Sequence, residues 1–191
     1  MSLILAALLI TKLAVIVRTY DTVGLPDGEL TRARQRAEAA LNAIDIEPIW
    51  RLCRAAVCLS QPLPNEIQIR IVTSTRWSEP GSLGFSAIDV SRHAGTLGTV
   101  YADRVEAMAA AASVERGALL GNVIAHEIGH VLLGTTGHAR SGLMRATWWL
   151  PELQRSSPLD WRFSRQEGSE MRRQLIARLS DGVAPDSVVS E

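Results

Sequence analysis

The sequence predicts a single α+β domain, and three observations carry that prediction. Short β-branched or alternating runs recur before residue 102, separated by loops bearing glycine, proline and asparagine. Apolar residues recur at helical spacing near the start of the chain and again around residues 119–132. The 191 residues suffice for one domain with a genuine core. In order, the elements read strand, helix, four strands, helix, with a last helix near the C-terminus.

Residues 2–17 are apolar except for Ser2, Thr11 and Lys12. A membrane-spanning helix needs about 20 apolar residues, and this run is shorter and interrupted. No Lys or Arg precedes it and no clear cleavage site ends it, so a standard secretory signal is not spelled out. Two readings stay open: an atypical or truncated signal over residues 1–13, or the apolar lead of a buried first strand. The domain proper is expected over residues 14–180, with a frayed tail at 181–191.

Ala14–Tyr20 is rich in β-branched residues and predicts the first strand. Pro26 and Asp27 open a helix with Asp27 as cap and Leu30, Ala37, Leu41 and Ile44 as its apolar stripe. Ile46–Leu52 predicts a second strand with Pro48 near its start or edge. Residues 53–65, with Pro62 and Pro64, predict a loop. Glu66–Val72 alternates polar and apolar, the pattern of a half-buried third strand. Residues 77–84 form a loop, Phe85–Val90 a fourth strand, 91–95 a turn and Leu97–Tyr101 a fifth strand. Asp103 and Glu106 fit a capping box for a short helix over 104–112, and Ser113 can cap the helix after it. Trp148, Trp149 and Trp161 lie in an irregular segment. A last helix follows, capped by Ser164 with Glu167 at the box position, its stripe being Met171, Leu175, Ile176 and Leu179.

Twenty basic and 20 acidic side chains balance, so no net field favours nucleic acid. Cys53 and Cys58 are the only cysteines. A bridge between them fits an oxidising compartment, and two buried free thiols are the alternative. Membrane contact is expected only through the N-terminal apolar stretch, and the chain is read as a monomer.

The chemistry concentrates in His126-Glu127-Ile128-Gly129-His130. On a helix, residues four apart share a face, so both imidazoles can reach one ion. Glu127 lies one position round, where a carboxylate can touch a metal-held water without being a ligand. H-E-x-x-H thus encodes two zinc ligands and a general base. Hydrolysis also needs a third protein ligand and an open fourth position. Gly134 is a plausible helix stop, and His138 follows it where the chain can turn back toward the metal. Glu152 and Glu167 are the rival third ligands. Met144, after Ser141-Gly142-Leu143, sits where a turn would pass beneath the ligands, as packing rather than as a ligand.

This run resembles the metzincin zinc metallopeptidases, whose pattern is H-E-x-x-H-x-x-G-x-x-H followed by a methionine turn. Here the glycine and the last histidine come later, four and eight residues after His130, as in a stretched variant of small bacterial proteins of this type. The resemblance covers roughly residues 14–144. It implies a zincin-like fold: a mixed, mostly parallel five-stranded sheet with an antiparallel edge strand, packed on the first helix and the H-E-x-x-H helix. It also implies Zn²⁺ on His126, His130 and His138, water activated by Glu127, and a peptide or protein substrate laid antiparallel along Phe85–Val90. The implied activity is endopeptidase hydrolysis; export to the periplasm, envelope or exterior is expected from the apolar lead and the cysteine pair, with a cytoplasmic place the alternative. Two other readings stay open: a zincin-fold protein that holds metal and a partner peptide without turnover, and an envelope protein carrying the motif by chance. Arg145 and His93 are read as surface residues, with oxyanion neutralisation the alternative for Arg145. Trp148 and Trp149 are read as core, with a pocket wall as the alternative. Some metzincins place a tyrosine two residues after the turn methionine, where this chain has Ala146.

Overall fold

The structure, a computed structural model, describes residues 12–53, 58, 61–155 and 158–181. Residues 1–11 of the expected leader and 182–191 of the expected tail lie outside these. β-Branched residues build β1 (Leu13–Asp21), in which Val15, Ile16 and Val17 are buried. A turn leads into α1 (Asp27–Asn42), which returns the chain to β2 (Ile46–Leu52), parallel to β1. β3 (Glu66–Val72) joins the other side of β1, again parallel, with Ile67, Ile69 and Ile71 fully buried. β4 (Gly84–Asp89) and β5 (Ala94–Tyr101) form an antiparallel hairpin whose second strand pairs in parallel with β3. The sheet order is β2-β1-β3-β5-β4, so among the described residues β4 lies at an edge with one side free. This is the expected mixed sheet with its antiparallel edge strand.

α2 (Ala102–Ala112) and α3 (Arg116–Leu133) follow directly. α3 packs against α1 and along β5 and β4. Nearly every residue of it from Leu119 to Leu132 is buried, which places it in the centre of the core rather than at an amphipathic surface. Among the described residues no helix is long and apolar enough to cross a membrane.

Several predicted caps fall elsewhere. α1 starts with Pro26 at the N-cap and no side-chain cap, because Asp27 lies within its first turn. Asp103 sits inside α2 and spends its carboxylate on Ser74, accepting from its backbone N–H at 2.8 Å and its hydroxyl at 2.5 Å. Ser113 ends α2 in the left-handed region (φ 54°), and Glu115 caps α3 by accepting from the N–H groups of Gly117 and Ala118. The Ser164–Glu167 box does form: Ser164 N–H donates to Glu167 at 2.6 Å, and Glu167 N–H to Ser164 Oγ at 3.2 Å. It opens α5 (Arg165–Asp181), which buries Met171 and Leu175 but leaves Ile176 exposed. The tryptophan segment is less irregular than expected, holding α4 (Leu150–Arg155) and a 3₁₀ turn at Pro158–Trp161.

At the far end of the sheet Arg18 and Glu66 form a buried two-pronged pair, Nε–Oε1 2.5 Å and Nη2–Oε2 2.8 Å. Arg18 Nη1 also donates to the Cys58 carbonyl at 3.3 Å. Cys53 and Cys58 are bridged, their Cα atoms 5.6 Å apart.

Candidate metal centre

α3 ends at Gly134, whose φ of 62° only glycine adopts without cost. A Cβ there would lie 2.0 Å from the His93 carbonyl oxygen, so the helix end and the β4–β5 turn meet backbone to backbone. That contact is the structural use of the His93 segment; the His93 side chain is exposed. Past Gly134 the chain loops beneath α3. Ala139 N–H donates to the Met144 carbonyl at 2.8 Å, and Leu143 N–H to Arg162 at 2.9 Å. Met144 is thereby buried under the helix, at Gly129: a Cβ on Gly129 would lie 2.4 Å from its sulfur.

This loop brings the third imidazole to the other two. The ring nitrogens of His126, His130 and His138 all lie within 4.8 Å of one another. His130 Nε2 is 3.0 Å from His126 Nε2 and 3.3 Å from His138 Nε2. The opposite ring nitrogens decide what these short distances mean. His126 Nδ1 faces the Leu143 carbonyl at 2.8 Å, and His130 Nδ1 faces the Thr135 carbonyl at 2.8 Å. A carbonyl only accepts, so each Nδ1 carries the proton and each Nε2 presents a bare lone pair. Burial also disfavours the imidazolium, pushing the His126 pKa down to about 4 and those of His130 and His138 below their usual value. Converging lone pairs repel unless a cation lies between them. Tetrahedral Zn–N bonds of about 2.05 Å set neighbouring nitrogens about 3.3 Å apart, close to the two spacings His130 makes with its neighbours. The residues therefore fit zinc, and the two carbonyls supply the outer hydrogen bonds that fix ring orientation.

Glu127 is buried at 3% exposure, and its carboxyl is pushed up to about 7 by that burial, against the pull of Ser86. Ser86 Oγ, on β4, lies 2.8 Å from Glu127 Oε2 and 3.0 Å from its backbone carbonyl. Sequence reading passed over Ser86, although its alternation with Gly84 and Ile88 marks it as facing the helix. The carbonyls of Leu143 and Thr135 were invisible for another reason: a backbone acceptor leaves no side-chain signal.

The rival third ligands are engaged elsewhere. Glu152 pairs with Arg145 at 2.7 Å, and Glu167 belongs to the α5 cap. Arg145 is not a surface residue, since only 12% of its side chain is exposed. Trp148 is buried edge-on to His126 at 5.6 Å and to Trp161 at 5.0 Å, whereas Trp149 is 65% exposed. A pocket of about 220 Å³ opens beside the histidines, between residues 81–84, His126 and His138, and Arg145–Trp148.

No protein-family model matches the chain, and no curated protein matches it in sequence. Solved structures do match in fold. An archaemetzincin from Methanopyrus kandleri superposes with a TM-score of 0.51 at 14% identity, over 87% of this chain and 97% of that one. A zinc-dependent peptidase from Methanocorpusculum labreanum gives 0.50 at 15% identity, over 84% and 99%. The α+β domain with its edge hairpin and three-histidine cluster thus has a metzincin-type fold.

Proposed function

We propose that the chain is a zinc-dependent endopeptidase, with His126, His130 and His138 holding the metal and Glu127 as general base. The observation behind this is the cluster of three Nε2 atoms, two of which, on His126 and His130, are left bare by carbonyls that hold the Nδ1 protons. Zinc held there supplies Lewis acidity, lowering the pKa of a water to about 7 and polarising a carbonyl. The chain's own residues do the rest. The free side of β4 offers backbone hydrogen bonds to an extended peptide, which binds as an added strand. Ser86 holds the Glu127 carboxylate in place, and Glu127 takes the proton from the attacking water and passes it to the leaving amine. Trp148 packs edge-on to His126 and shields the metal side of the cleft. The Cys53–Cys58 bridge supports an oxidising compartment, hence export, as the place of action.

The test is zinc per chain beside turnover of a mixed peptide set. Glu127→Ala should keep its zinc and lose roughly 10²–10⁴-fold in kcat. His130→Ala should lose metal and activity together. Equal turnover in wild type and Glu127→Ala at equal zinc content would falsify the hydrolytic reading, and full zinc with no turnover by wild type would leave a metal-holding peptide-binding protein.

A further inference from the structure

Three positions of the β4–β5 hairpin close on the Glu127 side chain, and two of them are bare. A Cβ on Gly84 would come within 2.7 Å of Glu127 Oε1 and 2.5 Å of the Thr99 carbonyl oxygen. A Cβ on Gly98, directly across from Ser86, would lie 2.9 Å from Glu127 Cβ. The third position, Ser86, carries a hydroxyl 2.8 Å from Glu127 Oε2 and 3.0 Å from the Glu127 backbone carbonyl. That hydroxyl has one proton to give, and a carboxylate is the stronger acceptor of the two. Donation to Oε2 fixes that oxygen and leaves Oε1 on the side of Gly84, which lines the cleft beside His126 and His138.

The main chain of Ser86 is turned elsewhere. Tyr101 N–H donates to the Leu83 carbonyl at 2.8 Å, and Phe85 and Ala87 lie opposite Thr99 and Leu97. In an antiparallel ladder alternate residues spend both N–H and C=O on the partner strand. Leu83, Phe85 and Ala87 therefore spend theirs on β5, and Gly84 and Ser86 turn theirs to the free side of β4. A peptide added antiparallel on that side exchanges two hydrogen bonds with Ser86. Just beyond Ser86 the register slips between Ala87 and Ile88, so β5 alone holds this stretch less regularly than an unbroken ladder would. A strand on the free side pins it. We infer that Ser86 is a positioning residue that couples peptide docking to the general base: backbone pairing fixes Ser86, and its hydroxyl then fixes Glu127 for proton transfer. The inference rests on the peptidase reading. Because the bond to Glu127 is firmest with a peptide in place, its benefit falls on kcat rather than on KM.

The experiment uses the zinc-loaded full-length chain, one cleaved peptide, and copies of it N-methylated at one position at a time away from the cleaved bond. N-methylation removes a peptide N–H that a β4 carbonyl accepts. With the parent peptide, Ser86→Ala should keep its zinc and its KM and lose about tenfold in kcat. Ser86→Thr, which keeps the hydroxyl, should recover most of that loss. In wild type, one N-methyl position should cost about tenfold in kcat, and in Ser86→Ala the same change should cost less than about threefold, because the link is already cut. A wild-type kcat in Ser86→Ala, or a loss confined to KM, overturns the inference while leaving the peptidase reading intact. So does Ser86→Thr performing no better than Ser86→Ala, or the lack of any position whose N-methyl loss shrinks in Ser86→Ala. Should Ser86→Ala not fold or not hold zinc, Ser86→Cys, near serine in size and a weak donor, takes its place in the same comparison. A wild type that cleaves no peptide overturns the peptidase reading and this inference together.

Discussion

Burial moves the Glu127 carboxyl from an ordinary 4.5 to about 7, and that difference is written into folding stability. Between those two values the metal-free folded state keeps a proton that the unfolded chain has released. Stability is therefore fully present below about pH 4.5, falls as pH rises toward 7, and is flat above. Glu127→Gln removes this dependence. In chelator-treated protein, urea titrations should show the variant more stable than wild type at pH 8, by at most about 3 kcal/mol, and level with it at pH 4.5. The histidines titrate in both proteins and cancel in the difference. Residues of this kind differ sharply in how legible they are. His126, Glu127 and His130 announce themselves because a metal and a base need those side chains at that spacing on a helix. His138 was readable only through the glycine stop before it, and Ser86 hardly at all, since its role exists only once β4 lies against α3. Arg145 read as surface because nothing local in the sequence reveals the partner, Glu152, that draws it inward.

α3 shows why an element can be legible in extent and obscure at its ends. Its apolar spacing and Gly134 fix the length, but Ser113 and Glu115 both lie at the short junction before it, and Ser113 ends α2 while Glu115 takes the cap. At the start of α2 a distant partner decides instead: Ser74, 29 positions before Asp103, takes its carboxylate. The middle of α3 carries the more consequential constraint. Gly129 costs the helix about 1 kcal/mol relative to alanine, yet a Cβ there meets the Met144 sulfur at 2.4 Å in a fully packed site. Overpacking of this kind costs about 1–3 kcal/mol, so Gly129→Ala should be destabilising by about 1 kcal/mol net. The change should also push aside Met144 and, with it, the neighbouring Leu143 carbonyl that orients His126. Zinc affinity is expected to fall about tenfold, as for loss of an outer-shell hydrogen bond, measured by competition with a chelator dye. Unchanged affinity would separate the methionine turn from ligand orientation.

Across the whole molecule, the two sheet edges carry different tasks. Strand identities were readable from alternation, but the order β2-β1-β3-β5-β4 was not, because pairing depends on contacts far apart in sequence; the family resemblance implied only a mixed sheet with an antiparallel edge strand. The β2 edge holds the Cys53–Cys58 bridge beside the Arg18–Glu66 pair, with β1, β3 and β5 between it and β4. Reducing so short a loop should lower stability by about 2 kcal/mol in the chain-entropy picture. Zinc content should not change, which denaturation and metal analysis with and without reductant will check. The β4 edge, by contrast, is left open, and an open edge adheres to any extended chain, other copies of the protein included. Its construction limits that hazard. β4 spans six residues, slips register between Ala87 and Ile88, and ends in a charged aspartate. A long flat strand cannot zip along so short an edge. A short segment can, so the same shortness that protects the fold from fibrous assembly also confines what it grips to a few residues of unfolded chain.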